Sequence, residues 1–165
     1  MEGFALWLAH TSASDFVQRT LWLIPILQTI HIMSVAMVWS SAGMIELRIL
    51  GVSRSQTMAQ TAHRFIPWIW VGIAVLALTG AVLIIGEPDR SLPNPAFQLK
   101  MAALIVAVGL TLALEQSVRR HAAVWDENAK EQSAKWVTNA LAIVTLLAWC
   151  AIMIFGRWIA YTVVH

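Results

Sequence analysis

Charged residues are scarce in this sequence. Asp, Glu, Lys and Arg make up only 12% of its 165 residues, whereas 59% are hydrophobic; a soluble globular domain carries about 25% charged residues. The formal net charge is only +2, and the basic residues lie in short segments between apolar runs. No basic patch with interleaved aromatic residues is present, which argues against binding of nucleic acid. The composition predicts a single membrane-embedded domain over residues 1–165, surrounded by a lipid bilayer.

Cysteine pairs and the common catalytic motifs are also missing. The single cysteine, Cys150, cannot form an internal disulfide. The absence of a CxxCH motif excludes covalently attached c-type haem. The sequence has no HExxH, GxSxG, Walker A or GxGxxG motif, which removes the common hydrolase and nucleotide-binding functions. Any chemistry is therefore expected from side chains inside or beside the bilayer.

Long apolar runs dominate what remains. A bilayer core about 30 Å thick needs about 20 apolar residues in a helix, and runs of this kind occupy residues 20–45, 65–86, 95–114 and 136–156. Several of the nine tryptophans lie near the ends of these runs, as in an aromatic belt. The pattern predicts an all-α, integral membrane, up-and-down four-helix bundle. Residues 2–10, with Phe4, Leu6 and Trp7, predict a short N-terminal segment at the membrane interface.

Basic residues in the connections predict the orientation of the bundle. The first and third connections are rich in Arg and Lys, whereas the second has Arg90 and the borderline Lys100 against Glu87 and Asp89. By the positive-inside rule, the first and third connections face the cytoplasm. Both termini would then lie on the outer, periplasmic side of a bacterial inner membrane.

His31 is the one histidine that lies deep inside an apolar run. At about 100° per residue, Gln28, Ser34 and Glu46 fall on the same side of its helix, which therefore has a polar face. An ionisable side chain at this depth is costly to keep. This favours a functional role as an axial ligand of haem iron, a metal ligand or a proton-relay residue. The alternative is an imidazole hydrogen-bonded to Gln28, Ser34 or a neighbouring helix.

The other three runs also carry aligned polar residues. Lys100, Thr111 and Glu115 share one side of the third run, and the second has a stripe of small and polar residues that includes Gly72 and Thr79. A similar stripe on the fourth run consists of Asn139, Cys150, Met153 and Arg157. Such stripes turn away from lipid because unsatisfied polar groups are costly there. They predict a polar seam within the bundle, with ordinary helix packing as the alternative.

The other histidines limit the haem sites that the chain can build. The positions level with His31 are expected near Val75, Val108 and Trp149, and none of these is a histidine. His31 would then ligate iron alone, or together with water or a residue that the fold brings close. The candidates for that second ligand are Met153, Cys150 and His10.

His63 and His121 define a second candidate haem site, near the cytoplasmic surface. His63 precedes the second apolar run and His121 follows the third, both on that side, and the two could face one another. Arg64, Arg119 and Arg120 flank them and could bind haem propionates. The alternative is that both histidines are ordinary interfacial residues.

Three stretches resemble a broad set of small bacterial four-helix membrane proteins. They are HIMSVAMVWSSAGMIELRILG, HRFIPWIWVGIAVLALTGAVLIIGEP and NPAFQLKMAALIVAVGLTLALE, so the resemblance covers about the first 115 residues. The set includes domains of unknown function, the copper-resistance D type and the HemJ-type protoporphyrinogen oxidases. In the HemJ-type proteins a first-helix histidine and a lysine at the start of the third helix belong to a haem or porphyrin site. The resemblance implies such roles for His31 and Lys100, although the chain lacks the order around the first-helix tryptophan and the arginine-rich ends of the oxidases.

Together these features predict a small b-type cytochrome-like membrane protein. His31 would hold the iron of haem b, and Lys100 and the cytoplasmic arginines would neutralise the propionates. The bundle would pass electrons between a quinone and a partner protein, and assembly into a homo- or hetero-oligomer is expected.

Two alternatives remain open at this point. One is a non-redox membrane module that handles copper or another ion or serves as an accessory subunit. Met33, Met37 and Met44 are the reason to consider copper, because thioethers suit Cu(I), but Met33 and Met37 lie beside or away from the polar face of His31. The other alternative is a porphyrinogen oxidase.

Overall fold

The computed structural model describes residues 2–52, 56–126 and 132–158, and every regular element within them is a helix. Within these ranges, the side chains of residues 2, 89–90, 120–126, 132–135 and 157–158 are outside the description. The short helices are α1 (Glu2–Ala9), α2 (Ser12–Arg19) and α5 (Pro88–Ser91). The long helices are α3 (Leu23–Ile49), α4 (Met58–Gly86), α6 (Pro95–Asp126) and α7 (Gln132–Trp158).

The four long helices correspond to the four predicted apolar runs. Each has a stretch that is long and apolar enough to cross a membrane: Leu23–Ile49, Met58–Gly86, Pro95–Arg119 and Trp136–Gly156. The prediction of a helical multi-pass membrane protein is confirmed at this level.

The helix ends differ from the predicted limits where local hydrogen bonds decide them. The helix predicted from residue 65 begins at Met58, because Thr57 and Gln60 form a capping box. The Thr57 hydroxyl accepts from the Gln60 amide at 3.2 Å, and the Gln60 side chain accepts from the Thr57 amide at 3.1 Å. The predicted first helix begins at Leu23 instead of residue 20, because α2 ends at Arg19 and a turn follows.

Consecutive long helices run antiparallel. Ile24 at the start of α3 lies beside Gly86 at the end of α4, and Lys100 early in α6 lies beside Gly156 late in α7. The most extensive contacts join α3 to α4 and α6 to α7, while α4 also contacts α6 and α3 contacts α7. The long helices therefore form a ring in which α3 and α6 occupy opposite corners.

A glycine sets the distance between α3 and α4. A Cβ atom added at Gly72 would overlap the Cγ2 atom of Val38 and lie 3.2 Å from the Cε atom of Met37. Val38 is fully buried in the hydrophobic core that all four long helices share. The two backbones thus approach each other at a point where only glycine fits without movement of its neighbours.

The short helices gather at one end of the bundle, which we call the α5 end. It contains the start of α3 and α6 and the end of α4 and α7. There α1 contacts α5, and α2 packs against α4. The Gln18 side chain of α2 donates to the Gly86 carbonyl at 3.0 Å and so satisfies an acceptor at the end of α4.

Candidate functional site

His31 of α3 forms a hydrogen bond with a neighbouring helix. Its Nδ1 atom lies 2.8 Å from the Oγ1 atom of Thr79 on α4, one turn further along α4 than the predicted level of Val75. The same hydroxyl is 2.7 Å from the Val75 carbonyl oxygen. A hydroxyl has one hydrogen and a carbonyl can only accept, so Thr79 donates to Val75 and accepts from the Nδ1–H of His31. In the neutral imidazole this leaves the lone pair on Nε2.

Lys100 of α6 is the second member of this site. It is half-buried, and its charge is close enough to interact electrostatically with His31. Its Nζ atom would lie 3.6 Å from a Cβ atom added at Gly156 of α7. On the other side, a Cβ atom added at Gly80 would lie 3.5 Å from the Cε1 atom of His31. We call these residues the His31 cluster: His31, Thr79, Gly80, Lys100 and Gly156.

The four long helices all contribute to the His31 cluster, which lies toward the α5 end. Two of its members, His31 and Lys100, were predicted from the sequence as site residues. Thr79 was visible in the sequence only as part of a small-and-polar stripe, and nothing in the sequence pointed to Gly80 or Gly156. Their roles depend on which residues face each other between helices.

The predicted polar face of α3 divides into different environments. Ser34 is buried and donates to the Ile30 carbonyl at 2.8 Å, which satisfies its hydroxyl within the helix. Gln28 is exposed, and His31 is half-buried. Glu46 is buried close to the other end of α3. The face is therefore not one continuous site.

The second predicted haem site is only partly described. His63 and Arg64 are exposed near the start of α4, and the Arg64 guanidinium lies 5.6 Å from the centroid of the Phe65 ring. Arg119 forms an ion pair with Glu115 at 2.9 Å. The side chains of His121 and Arg120 lie outside the described residues, so a haem between His63 and His121 stays a prediction.

A second polar arrangement, not foreseen from the sequence, surrounds Glu115 of α6. The Trp70 indole donates to Glu115 Oε2 at 3.0 Å, and Arg119 donates to Oε1 at 2.9 Å. Beside it lies a cavity that is lined from all four long helices, with Ala42, Thr111 and Thr145 among its residues. The cavity has a volume of about 20 Å³, close to that of one water molecule, and its walls are almost entirely apolar.

Glu46 has the most unusual environment of any described carboxyl group. It is 2% exposed, and neither carboxyl oxygen has a hydrogen-bond partner within the described residues. The Oδ1 atom of Asn139 on α7 is likewise buried and unpartnered there. The sequence placed Glu46 on a polar face but could not show that it would be enclosed without a donor among its described neighbours.

The described residues also bear on a metal site built by the protein alone. No group of three or more His, Cys, Asp or Glu side chains is placed there to hold a metal ion. The predicted role of His31 as a ligand, alone or together with Met153, Cys150, His10 or water, stays a prediction.

The fold places the protein in the class of helical membrane-type proteins with four apolar helices. Comparison with known families gives a narrower assignment. The family model DUF6644, a family of unknown function, matches residues 5–162, and the chain therefore belongs to this family. No curated protein and no solved structure matches the chain. The predicted kinship with domains of unknown function is thus confirmed, while kinship with the HemJ-type and copper-resistance D proteins stays a prediction.

Proposed function

We propose that the protein is an integral membrane, up-and-down four-helix bundle of a bacterial inner membrane, with α1 at the interface. The antiparallel order of the four apolar helices supports this arrangement. Phe4, Leu6 and Trp7 are exposed on α1, as suits a helix whose apolar side chains enter the headgroup region. The excess of basic residues in the first and third connections supports an orientation with both termini outside.

We further propose that the protein is a small b-type cytochrome-like electron carrier, in which His31 is an axial ligand of haem b. The carrying observation is the hydrogen bond from His31 Nδ1 to Thr79, whose hydroxyl is committed to the Val75 carbonyl. Histidines that ligate metals almost always donate their other ring N–H to such an acceptor, which fixes the ring and its tautomer. His31 is therefore prepared to offer Nε2 to an iron atom.

The donor set of the His31 cluster fits a haem better than a bare metal ion. A porphyrin supplies most of the ligands of its iron, so one or two protein ligands complete the set. When bound, haem supplies one-electron redox chemistry, with a potential set by its axial ligands and by burial. Lys100 provides a cation for a propionate group, and Met153, one turn from Gly156 on α7, is one of the predicted second ligands.

A haem at the His31 cluster would lie on the side that the four helices leave open. His31, Lys100 and Gly156 all remain partly exposed, so the cluster is not sealed by its own helices. The cavity beside Glu115 is far smaller than the about 300 Å³ or more of a cofactor pocket. A haem is therefore proposed at the His31 cluster and not at that cavity. A lipid-soluble quinone and a partner redox protein are the proposed electron donor and acceptor.

Absorption spectra of the oxidised and reduced protein test this proposal. The protein purified from haem-supplied cells should show a Soret band that shifts on reduction. The band should be lost in His31→Ala and kept in His63→Ala, which removes an exposed histidine at the other end of the bundle. Circular dichroism would confirm that both variants are helical.

Other spectral outcomes would favour one of the alternative functions or a second haem site. A folded, colourless wild-type protein would contradict haem binding, and copper bound by such a protein would favour the ion-handling alternative. Loss of only part of the Soret band in His63→Ala would indicate the second haem predicted between His63 and His121.

A further inference from the structure

A buried carboxyl group at the end opposite α5 has no role in the proposed haem site. Glu46 is almost completely enclosed, and both of its oxygens lack a hydrogen-bond partner within the described residues. Most buried polar atoms in folded proteins have a partner, and one left without it costs free energy. Ionisable residues inside membrane helices most often mark proton or ion pathways. Glu46 therefore needs a ligand that supplies a hydrogen-bond donor or a positive charge, because no described side chain donates to it.

The chemistry of the unpartnered atoms limits what that ligand is. The buried, unpartnered side-chain atoms in the described part of the chain are Glu46 Oε1, Glu46 Oε2 and Asn139 Oδ1. The two Glu46 oxygens are only acceptors when the carboxyl group is ionised. A hard metal cation needs about six or more oxygen ligands, which is more than one carboxylate offers. A proton needs one oxygen and turns it into a donor.

The described charged neighbours do not provide an alternative partner. On α4, His63 and Arg64 are exposed at this end. On α6, Glu115 is occupied by Arg119 and Trp70. The Nε atom of Arg48, on α3 itself, donates to the Gln56 carbonyl at 2.7 Å.

On α7, the side chain of Lys135 is outside the described residues. Of the described titratable groups, none is bonded to Glu46.

Glu46 lies near the end of its helix. It is three residues before Ile49, where α3 ends. The small cavity lined by Ala42, Ile45 and Glu115 does not have Glu46 in its wall, so it supplies no partner for this carboxyl group.

We infer that Glu46 is a proton-exchange site for the aqueous surface at this end of the bundle. In the uptake step, an O–H bond of a hydronium ion breaks as an O–H bond forms at Glu46, and a water molecule is left. Release is the reverse, and no electrons are transferred. The inference goes beyond the haem proposal and does not rest on it.

Infrared spectroscopy of the full chain in lipid nanodiscs tests the site. The C=O stretch of a protonated carboxylic acid should be present in the wild type, shift after exchange into D₂O, and disappear when the pH is raised. Glu46→Gln should abolish it, whereas Glu87→Gln, a glutamate at the α5 end, should retain it. If Glu46→Gln does not fold, Glu46→Asp keeps a carboxyl group and should move the band. Absence of the band in the wild type, or its persistence unchanged in both Glu46 variants, would overturn the inference.

The infrared band and the absorption spectrum separate this inference from the haem proposal. A colourless protein with the band would remove the haem proposal alone, and a haem protein without the band would remove this inference alone.

Discussion

At the scale of single residues, the Thr79 hydroxyl determines which nitrogen of His31 is left for a ligand. Without it, the Nδ1–H would be half-buried with no described acceptor, and the ring could rotate or change tautomer. The bond joins α3 to α4 as well as fixing the ring. Thr79 is thus a positioning residue, and its loss should affect both the stability of the helix pair and any group bound to His31.

Thr79→Val is expected to reveal both effects. It keeps the branched shape but removes the acceptor, so the free energy of unfolding should fall by about 1–3 kcal/mol. In the haem-bound protein, the reduction potential should shift as well, because the ring loses its second-shell partner. Thr29→Val is the matched control, since Thr29 is exposed and its hydroxyl donates to the Pro25 carbonyl of its own helix.

Denaturant unfolding in detergent and redox titration measure the two quantities. Thr79→Ser, which restores a hydroxyl, should recover most of the wild-type potential. If Thr79→Val matched Thr29→Val in both measurements, the positioning role of Thr79 would be refuted.

Part of the site was accessible from the sequence. His31 and Lys100 stand out because they are ionisable residues in apolar runs. A hydrogen bond from His31 to a neighbouring helix was one of the predicted alternatives, and it is present. Thr79 was not predicted as the partner, because the level of a residue on an antiparallel helix can be estimated only to about one turn and side chains lean along the helix. The isolation of Glu46 could not be seen either, since it depends on which described side chains the three other long helices turn toward it.

At the scale of helices, the contact between α3 and α4 depends on Gly72. Without a side chain, Gly72 lets the backbone of α4 approach Val38 and Met37. Between membrane helices such close packing is a main source of affinity, because lipid provides little hydrophobic driving force for their association.

Gly72→Ala should therefore destabilise the helix pair. The added methyl group overlaps a fully buried valine, and overpacking of this kind costs roughly 1–3 kcal/mol. Gly109→Ala is the control, because a Cβ atom at Gly109 would meet nothing within 4 Å. In detergent, the free energy of unfolding should fall for Gly72→Ala and change little for Gly109→Ala. Equal stabilities would mean that Val38 moves aside at no cost.

Helix existence was predicted better than helix ends. Hydropathy marks the part of a helix that can face lipid, and all four apolar runs became long helices. The continuation of α6 to Asp126 is what the helical spacing of charges after Glu115 predicts. The early start of α4 was not predicted and depends on the cap at Thr57. A polar residue does not end a helix, so charge alone located the ends poorly.

At the scale of the whole molecule, the proposed orientation gives each end a different aqueous environment. The α5 end, with the His31 cluster, would face the periplasm, and the end with Glu46 and Glu115 would face the cytoplasm. Proton exchange at Glu46 would then take place with the cytoplasm, while electrons would enter or leave near the outer side.

Cysteine labelling in intact cells tests this orientation. In a Cys150→Ser background, Ser12→Cys at the start of α2 should react with a membrane-impermeant maleimide added outside. Gln56→Cys, in the connection between α3 and α4, should react only after the cells are opened. Both positions are exposed, so accessibility of the side chain is matched. The reverse pattern would contradict the orientation while leaving the fold unaffected.

The sequence by itself determined the surroundings, the helical class and two ionisable residues at the proposed site. These properties follow from local features of the sequence, namely the length of the apolar runs, the position of the basic residues and the helical periodicity. Only the tertiary structure decided that Thr79 meets His31, that Gly156 lies beside Lys100, and that Glu46 is enclosed without a donor among the described residues. Each of these depends on the register between helices, which many weak packing contacts set together and which no single stretch of the chain encodes.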